Sequence, residues 1–143
     1  MVIMPITLTM AGAATLINVW LAYRTGRTRV SRKISVGDGG DPLLLARMRA
    51  HANFVEYTPF FLILLGLIEY AQGSQTWLWG VGIVYILARI AHPFGMDRPA
   101  PNPLRTIGIG VTLLVLVGLA LYALATPYIQ RAQESPVNYA SAR

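Results

Sequence analysis

The sequence predicts an all-α integral membrane protein, a four-helix bundle that forms a single domain over residues 1–143. Hydrophobic residues make up 55% of the chain and charged residues 13%, whereas about a quarter of a soluble domain is charged. Four apolar segments each approach the roughly 20 residues that a membrane-spanning helix needs. Basic residues gather beside these segments, a pattern that orients membrane proteins. The composition therefore excludes a soluble globule and a disordered chain.

The residue inventory also narrows the chemistry. The chain has no cysteine and two histidines, so disulfides, thiolate metal sites and a cysteine nucleophile are excluded. We expect no metal site. The formal charge of +6 would suggest nucleic acid in a soluble protein, but here it accompanies apolar runs, so we expect no nucleic-acid partner.

The first helix is predicted over residues 3–23, which carry no formal charge. The following segment, 24–41, is polar, basic and rich in glycine, and we expect it to be a loop. The remaining helices are predicted over residues 42–70, 76–92 and 104–130. Asp41 resembles a helix N-cap before Pro42, and Pro93 is expected to end the third helix. The tail, 131–143, is polar and expected to fray.

The distribution of basic residues predicts the orientation in the membrane. Four spans place both termini on one side. The first loop and the start of helix two carry seven basic residues, namely Arg24, Arg27, Arg29, Arg32, Lys33, Arg47 and Arg49. The third loop carries Arg98 and leads to Arg105, whereas the second loop carries none. The positive-inside rule therefore predicts cytoplasmic first and third loops, with both termini outside.

A polar stripe runs along one face of helix two. Arg49, Asn53, Glu56 and Tyr57 have the spacing i, i+4, i+7 and i+8, which places them on a common helical face. Ionisable groups within the bilayer are costly and usually face protein or a water-filled cavity. A guanidinium and a carboxylate together suit a ligand that carries both carboxylates and an ammonium. The alternative is a network of these side chains that only holds the helices together.

Helix three carries a second group of polar residues. Tyr85, Arg89 and His92 share a face at i, i+4 and i+7. Arg89 could extend to the membrane interface, pair with an acid of helix two or bind an anion, and the spacing leaves these alternatives open. Glu69 lies near the outer end of helix two, where we expect it to be solvated. Arg105 by itself would anchor helix four at the headgroups.

Two segments resemble the MAPEG family, the membrane-associated proteins of eicosanoid and glutathione metabolism. Residues 47–60, RMRAHANFVEYTPF, closely resemble the family's helix-two signature. Residues 84–95, VYILARIAHPFG, resemble its third-helix segment. The number of spans, the length and the basic first loop also agree, so the resemblance covers most of the chain.

The resemblance implies a homotrimer that binds glutathione as co-substrate between neighbouring subunits, near the cytoplasmic side. It also implies roles for individual residues. By match to the family's motifs, the charged ends of glutathione would be held by Arg49, Asn53, Glu56, Tyr57 and, from helix three, Arg89.

The resemblance further implies a catalytic residue. Arg105 is similar to the arginine at the start of helix four that stabilises the thiolate in leukotriene-synthesising members. Arg27 resembles a first-loop arginine near the second substrate. His92, which we include among the substrate-binding residues, and Met96 stand where several members have tyrosines. These departures leave the second substrate open.

The resemblance thus implies a glutathione-dependent transferase or peroxidase that acts on lipophilic electrophiles, as in detoxification, in a bacterial inner membrane. Its partners would be the lipid bilayer, glutathione or a related thiol, a lipophilic small molecule and further copies of the chain. Two alternatives remain. One is a non-catalytic lipid-binding member of the same fold, and the other is a small four-helix transporter that uses Glu56 for proton coupling.

Overall fold

The computed structural model describes residues 3–134 as four long helices joined by loops. The helices are α1 (Pro5–Arg32), α2 (Pro42–Gln72), α3 (Thr76–Met96) and α4 (Pro103–Glu134). Each is long and apolar enough to cross a membrane. The predicted fold class, an all-α four-helix membrane bundle, is confirmed. The homotrimer stays a prediction.

The central pair of the bundle is α2 and α3. Each of these helices packs against all three others, and the most extensive interfaces are α3 with α4 and α1 with α2. The main core contains Ile6, Met10, Phe61, Leu65, Ile68, Leu78, Tyr85 and Leu119. Within it, the rings of Phe61 and Tyr85 stack with centroids 3.7 Å apart, and the Tyr85 hydroxyl lies 3.1 Å from Thr58 Oγ1. Tyr85 is therefore a core residue of the α2–α3 contact.

Helix α1 is longer than predicted. We expected it to end at residue 23, but it continues to Arg32, so half of the predicted first loop is helical. Arginine is a good helix former, and the last turn places Arg29 and Arg32 near the negative end of the helix dipole. The helix ends at Lys33, which adopts a left-handed conformation with φ 57°. The glycine-rich part of the loop begins only after this point.

The other helix boundaries differ by a few residues. Asp41 caps α2 as predicted, with its side chain accepting a hydrogen bond of 2.8 Å from the Leu44 N–H. The prediction that Pro93 ends α3 is wrong, because the helix continues to Met96. A proline removes only one backbone donor, and the Asp97 N–H still donates a hydrogen bond to the Pro93 carbonyl. Helix α4 reaches Glu134, so the start of the predicted tail is helical. The rest of that tail, 135–143, lies outside the described residues.

Glu69 is buried, and the expectation that it would be solvated is wrong. Its side chain is 2% exposed and reaches from α2 to the first turn of α1. One carboxylate oxygen accepts from Ile6 N–H at 3.0 Å and Ser74 Oγ at 2.7 Å. The other accepts from Thr7 N–H and Thr7 Oγ1, both at 2.7 Å. Glu69 thus satisfies amide donors at the start of α1 that have no partner within the helix.

Candidate functional site

The polar stripe of α2 lies on an outer face of the single subunit. Arg49 and Glu56 are exposed, and Asn53 and Tyr57 are half-buried. Among the described residues, neither Arg49 nor Glu56 takes part in an ion pair. The two charges of the stripe are therefore not used to neutralise each other, and the packing network that we considered as the alternative is not observed for them.

Arg89 lies inside the bundle. It is fully buried, so it does not extend to the membrane interface and does not pair with Glu56. Its Nη2 donates to Asn53 Oδ1 at 3.0 Å, and its Nη1 donates to Thr112 Oγ1 at 3.3 Å. The guanidinium also lies 5.5 Å from the centre of the Phe54 ring. Arg89 thus links α2, α3 and α4, and it holds the carbonyl oxygen of Asn53 inward.

A small cavity brings together residues from three helices. Its volume is about 170 Å³. It is lined by Arg49, Asn53, His92, Met96, Arg105 and Ile109. Four of the residues predicted for the site therefore share one cavity, and Met96 joins them at the position where the family often has a tyrosine. We call this the α2–α4 cavity.

Two glycines allow α4 to lie close enough to α3 for Arg105 to reach this cavity. A Cβ atom at Gly95 would lie 2.2 Å from the backbone nitrogen of Arg105. A Cβ atom at Gly108 would lie 2.8 Å from the Cβ of His92. Both contacts are shorter than van der Waals distance, so neither position accepts a side chain without displacement. The close approach of α3 and α4 therefore fixes the position of the Arg105 backbone.

The α2–α4 cavity is electropositive. Two guanidinium groups line it, and no carboxylate is among its lining residues. His92 is buried, and its Nδ1 has no hydrogen-bond partner among the described residues. Glu56 and Tyr57 lie further along the same stripe, about one turn from Asn53 and about two turns from Arg49. A ligand with negative charge at the cavity and a positive group beside Glu56 matches this distribution.

Arg27 is not part of the α2–α4 cavity. It lines a separate and larger cavity of about 660 Å³, together with residues of α1, α2 and the end of α3. In this second cavity Arg24 and Arg47 both form salt bridges with Asp97. Sequence reasoning treated these arginines only as signals of orientation. The positive-inside rule placed the third loop, which begins near Asp97, on the same side as Arg24 and Arg47, and this was a signal that could have pointed to the pairing.

His51 also has a structural contact that spacing did not reveal. Its Nε2 lies 2.9 Å from Asn18 Oδ1, so it joins α2 to α1 on the side away from the α2–α4 cavity. Asn18 carries the one side-chain amide of α1. The contact gives His51 a partner within the subunit, consistent with its place outside the predicted stripe.

Comparison with known proteins places the chain in a family. The family model described as "MAPEG family" matches residues 7–125. The inner membrane protein YecN, from two strains of Escherichia coli, is 34% identical over 73 residues, which are 50% of this chain and 55% of YecN. The chain thus spans about half the length of the curated relatives it matches. The family match covers most of the four-helix bundle, and the chain belongs to the MAPEG family.

Proposed function

We propose that this protein is a membrane-bound, glutathione-dependent transferase or peroxidase. The observation that carries the proposal is the α2–α4 cavity, where Arg49 and Arg105 line a space without a carboxylate. Glu56 lies on the same face of α2 as Arg49 and has no ion-pair partner among the described residues. Together these charges complement the carboxylates, the thiolate and the ammonium of glutathione.

The size of the cavity supports a site shared between subunits. Pockets for small molecules usually measure about 300–1,000 Å³, whereas the α2–α4 cavity measures about 170 Å³. One subunit would therefore hold only part of a tripeptide. The remaining wall would come from a neighbouring copy of the chain, as in the homotrimer that the family implies.

The position of Glu56 supports the same assembly. Glu56 lies about 21 Å along α2 from Pro42, close to the middle of the helix. A charged side chain at the centre of a membrane helix costs about 2.5–3.5 kcal/mol when it faces lipid. Because Glu56 is exposed in the single subunit, a neighbouring subunit that covers it and leaves room for a polar ligand would remove this cost.

The proposed reaction needs only positioning and positive charge from the protein. A free thiol has a pKa of about 8.5, so a small part of it is thiolate at neutral pH. A guanidinium a few ångström away favours the thiolate, more strongly in a low-dielectric cleft. The thiolate sulfur would form a bond with an electrophilic carbon while the leaving group departs with its electron pair. With a lipid hydroperoxide, two thiols would instead become a disulfide as the peroxide is reduced to an alcohol and water.

Arg105 is the residue that we propose for thiolate stabilisation. It lies at the start of α4, lines the α2–α4 cavity and has no ion-pair partner among the described residues. Arg89, by contrast, is buried behind Asn53, so we propose that it positions Asn53 and does not contact the thiol. Asn53 keeps its amide N–H groups for a ligand carboxylate or carbonyl.

Calorimetry of the detergent-solubilised protein with glutathione tests binding, and absorbance of the bound thiolate against pH tests the role of Arg105. We expect millimolar or tighter binding. In Arg105→Ala the pKa of the bound thiol should rise by about one unit, which is a loss of about 1.4 kcal/mol of thiolate stabilisation. Arg98→Ala is the matched control, because Arg98 is exposed in the neighbouring loop and does not line the cavity.

Two outcomes would contradict this proposal. Absence of thiol binding would exclude a glutathione enzyme and favour the lipid-binding member of the fold. Binding with an unchanged thiol pKa in Arg105→Ala would remove Arg105 from the mechanism.

The relative YecN is named an inner membrane protein, and we propose the same membrane for this chain, with the basic end of the bundle in the cytoplasm.

A further inference from the structure

The larger cavity at the basic end of the bundle contains more positive than negative charge. It is lined by four arginines, namely Arg24, Arg27, Arg32 and Arg47. Asp97 is the one carboxylate among its lining residues, and Asp41 pairs with Arg32 at 3.0 Å. Two guanidiniums therefore remain in excess of the carboxylates. We call this space the arginine cavity.

Two of the four arginines, Arg24 and Arg47, are held in place by Asp97 at the end of α3. Arg47 of α2 donates to Asp97 at 3.1 Å and to Thr28 Oγ1 of α1 at 2.7 Å. Arg24 of α1 also binds Asp97, and its side chain is only 12% exposed. Pre-positioned guanidinium groups bind phosphate and carboxylate oxygens with two hydrogen bonds at once. Arg27 is exposed and has no ion-pair partner among the described residues, so it is available to a ligand.

One wall of the arginine cavity is aromatic. The rings of Trp20 and Phe94 lie with their centroids 5.4 Å apart, and the Arg24 guanidinium lies 4.8 Å from the centre of the Trp20 ring. Phe94 is 48% exposed and Tyr23, which also lines the cavity, is 64% exposed. This wall therefore exposes apolar surface beside a polar interior.

The arginine cavity begins where the apolar part of α1 ends, at the depth expected for the headgroup layer of a membrane. The uncharged segment of α1 ends at Tyr23, and Arg24 is the first charged residue after it. From Arg24 to Arg32 the helix advances about 12 Å, which is longer than the headgroup region of one leaflet, about 5–8 Å thick. The arginines of α1 therefore begin in that region and extend beyond it. Basic pockets between membrane helices at this depth are suited to anionic lipid headgroups.

We propose that the arginine cavity binds the phosphate group of an anionic membrane phospholipid. The phosphate would contact Arg27 and the guanidinium groups beside Asp97, which carry more positive charge than that carboxylate neutralises. The first part of an acyl chain would lie along Trp20 and Phe94. A volume of about 660 Å³ exceeds what a free phosphate needs and accommodates a headgroup. This lipid site is separate from the α2–α4 cavity and does not depend on the proposed thiol chemistry.

Trp20 provides a local reporter of this binding. The chain has three tryptophans, and the other two, Trp77 and Trp79, lie at the opposite end of the bundle, in the first turn of α3. In the variant Trp77→Phe/Trp79→Phe, bromine atoms on a lipid acyl chain quench only Trp20. We expect brominated phosphatidylglycerol to quench Trp20 at a lower mole fraction than brominated phosphatidylcholine with the same chains.

Charge variants identify the cavity as the origin of this preference. Arg27→Gln should require about fivefold more phosphatidylglycerol, since a basic residue near an anionic lipid surface contributes about 1 kcal/mol. Arg98→Gln, which removes the same charge from the same end but outside the cavity, should leave the preference unchanged. Native mass spectrometry of the chain with its three tryptophans intact gives a second measurement, in which Arg27→Gln should retain less phosphatidylglycerol than Arg98→Gln.

Three results would overturn the proposal. The first is equal quenching by the two lipids, and the second is an equal loss in Arg27→Gln and Arg98→Gln. The third is displacement of phosphatidylglycerol by inorganic phosphate at equal concentration, which would assign the cavity to a soluble anion. Thermal unfolding of each variant by circular dichroism establishes that the folded proteins are being compared.

Discussion

Two carboxylates of the same helix occupy opposite environments. Glu69 is 2% exposed and accepts four hydrogen bonds from the start of α1 and from Ser74. Glu56, nearly four turns earlier, is exposed and forms no ion pair with the described residues. Both are acids in an apolar helix, where a charge is costly without a partner. Glu69 finds its partners within the subunit, and Glu56 must find them elsewhere.

The arginines near the α2–α4 cavity also differ in whether they find partners within the subunit. Arg89 is buried and bonded to Asn53 and Thr112. Arg49 and Arg105 are exposed and line the α2–α4 cavity. Polar groups that are satisfied inside the subunit hold the bundle together, whereas those left without partners in a membrane protein indicate a ligand or a neighbouring subunit. On this basis we propose that Arg49 and Arg105 serve a ligand or a neighbouring subunit, whereas Arg89 links helices within the subunit.

The largest expected effect comes from replacing the two acids in parallel. Glu69→Gln turns one acceptor oxygen into an N–H₂ group that faces donors, so two charge-assisted hydrogen bonds are lost. We expect a loss of about 3 kcal/mol in the free energy of unfolding. Glu56→Gln removes no ion pair formed among the described residues, so it should not lower this free energy, yet it should weaken glutathione binding. Denaturant unfolding in detergent micelles, at one protein concentration, measures the stability, and calorimetry measures the binding.

The outcome decides whether the division of the two acids is real. Equal losses of stability in Glu69→Gln and Glu56→Gln would mean that Glu56 also serves the fold. Unchanged glutathione binding in a stable Glu56→Gln variant would remove Glu56 from the site. The two acids have separate roles only if Glu69→Gln lowers the stability and Glu56→Gln lowers the glutathione affinity.

A pair of glycines in α4 extends the comparison from charge to packing. Gly108→Ala places a Cβ 2.8 Å from the Cβ of His92, and we expect this overpacking to cost about 1–3 kcal/mol. Gly110→Ala has no atom within 4 Å of its new Cβ, and we expect a gain of up to about 1 kcal/mol from helix propensity. Thermal unfolding by circular dichroism measures both. A larger loss in Gly110→Ala than in Gly108→Ala would contradict the close packing of α3 on α4.

The sequence was sufficient for the fold because the membrane limits the possible structures. Four apolar segments can only be helices when they cross lipid, since every backbone group must be satisfied within its own segment. The start of α2 was equally predictable, because Asp41 and Pro42 form a local signal. The end of α1 was not, because arginines fit either a helix or a loop and apolarity marks only the part inside the bilayer.

Part of the geometry of the candidate site was predictable from the sequence, but the contacts of its residues were not. Helical spacing predicted that Arg49 and Asn53 share a face of α2, and both line the α2–α4 cavity. Glu56 is exposed further along the same helix. Spacing along one helix says nothing about what packs against it. For this reason the burial of Arg89 and the partners of Glu69 required the tertiary structure. Arg24 and Arg47 likewise gained their partner Asp97 only when α1, α2 and α3 met.

The smallest and most specific effect tests whether Arg89 acts through Asn53. Because Arg89 has no carboxylate partner among the described residues, Arg89→Met replaces a buried charge by an apolar side chain, and the bundle should remain folded. The carboxamide of Asn53 would lose its anchor, and we expect glutathione affinity to fall about tenfold, equivalent to about 1.4 kcal/mol.

A double-mutant cycle distinguishes positioning from direct contact. If Arg89 only orients Asn53, then Asn53→Ala should weaken glutathione binding to the same degree, and the double variant should be no weaker than either single one. Additive losses would instead mean that Arg89 reaches the ligand itself, which would require it to leave its bond to Asn53 on binding. Calorimetric titration of the four proteins measures the cycle. Its coupling free energy therefore tests whether a buried arginine, bonded to Asn53 and Thr112, can serve a site that it does not touch.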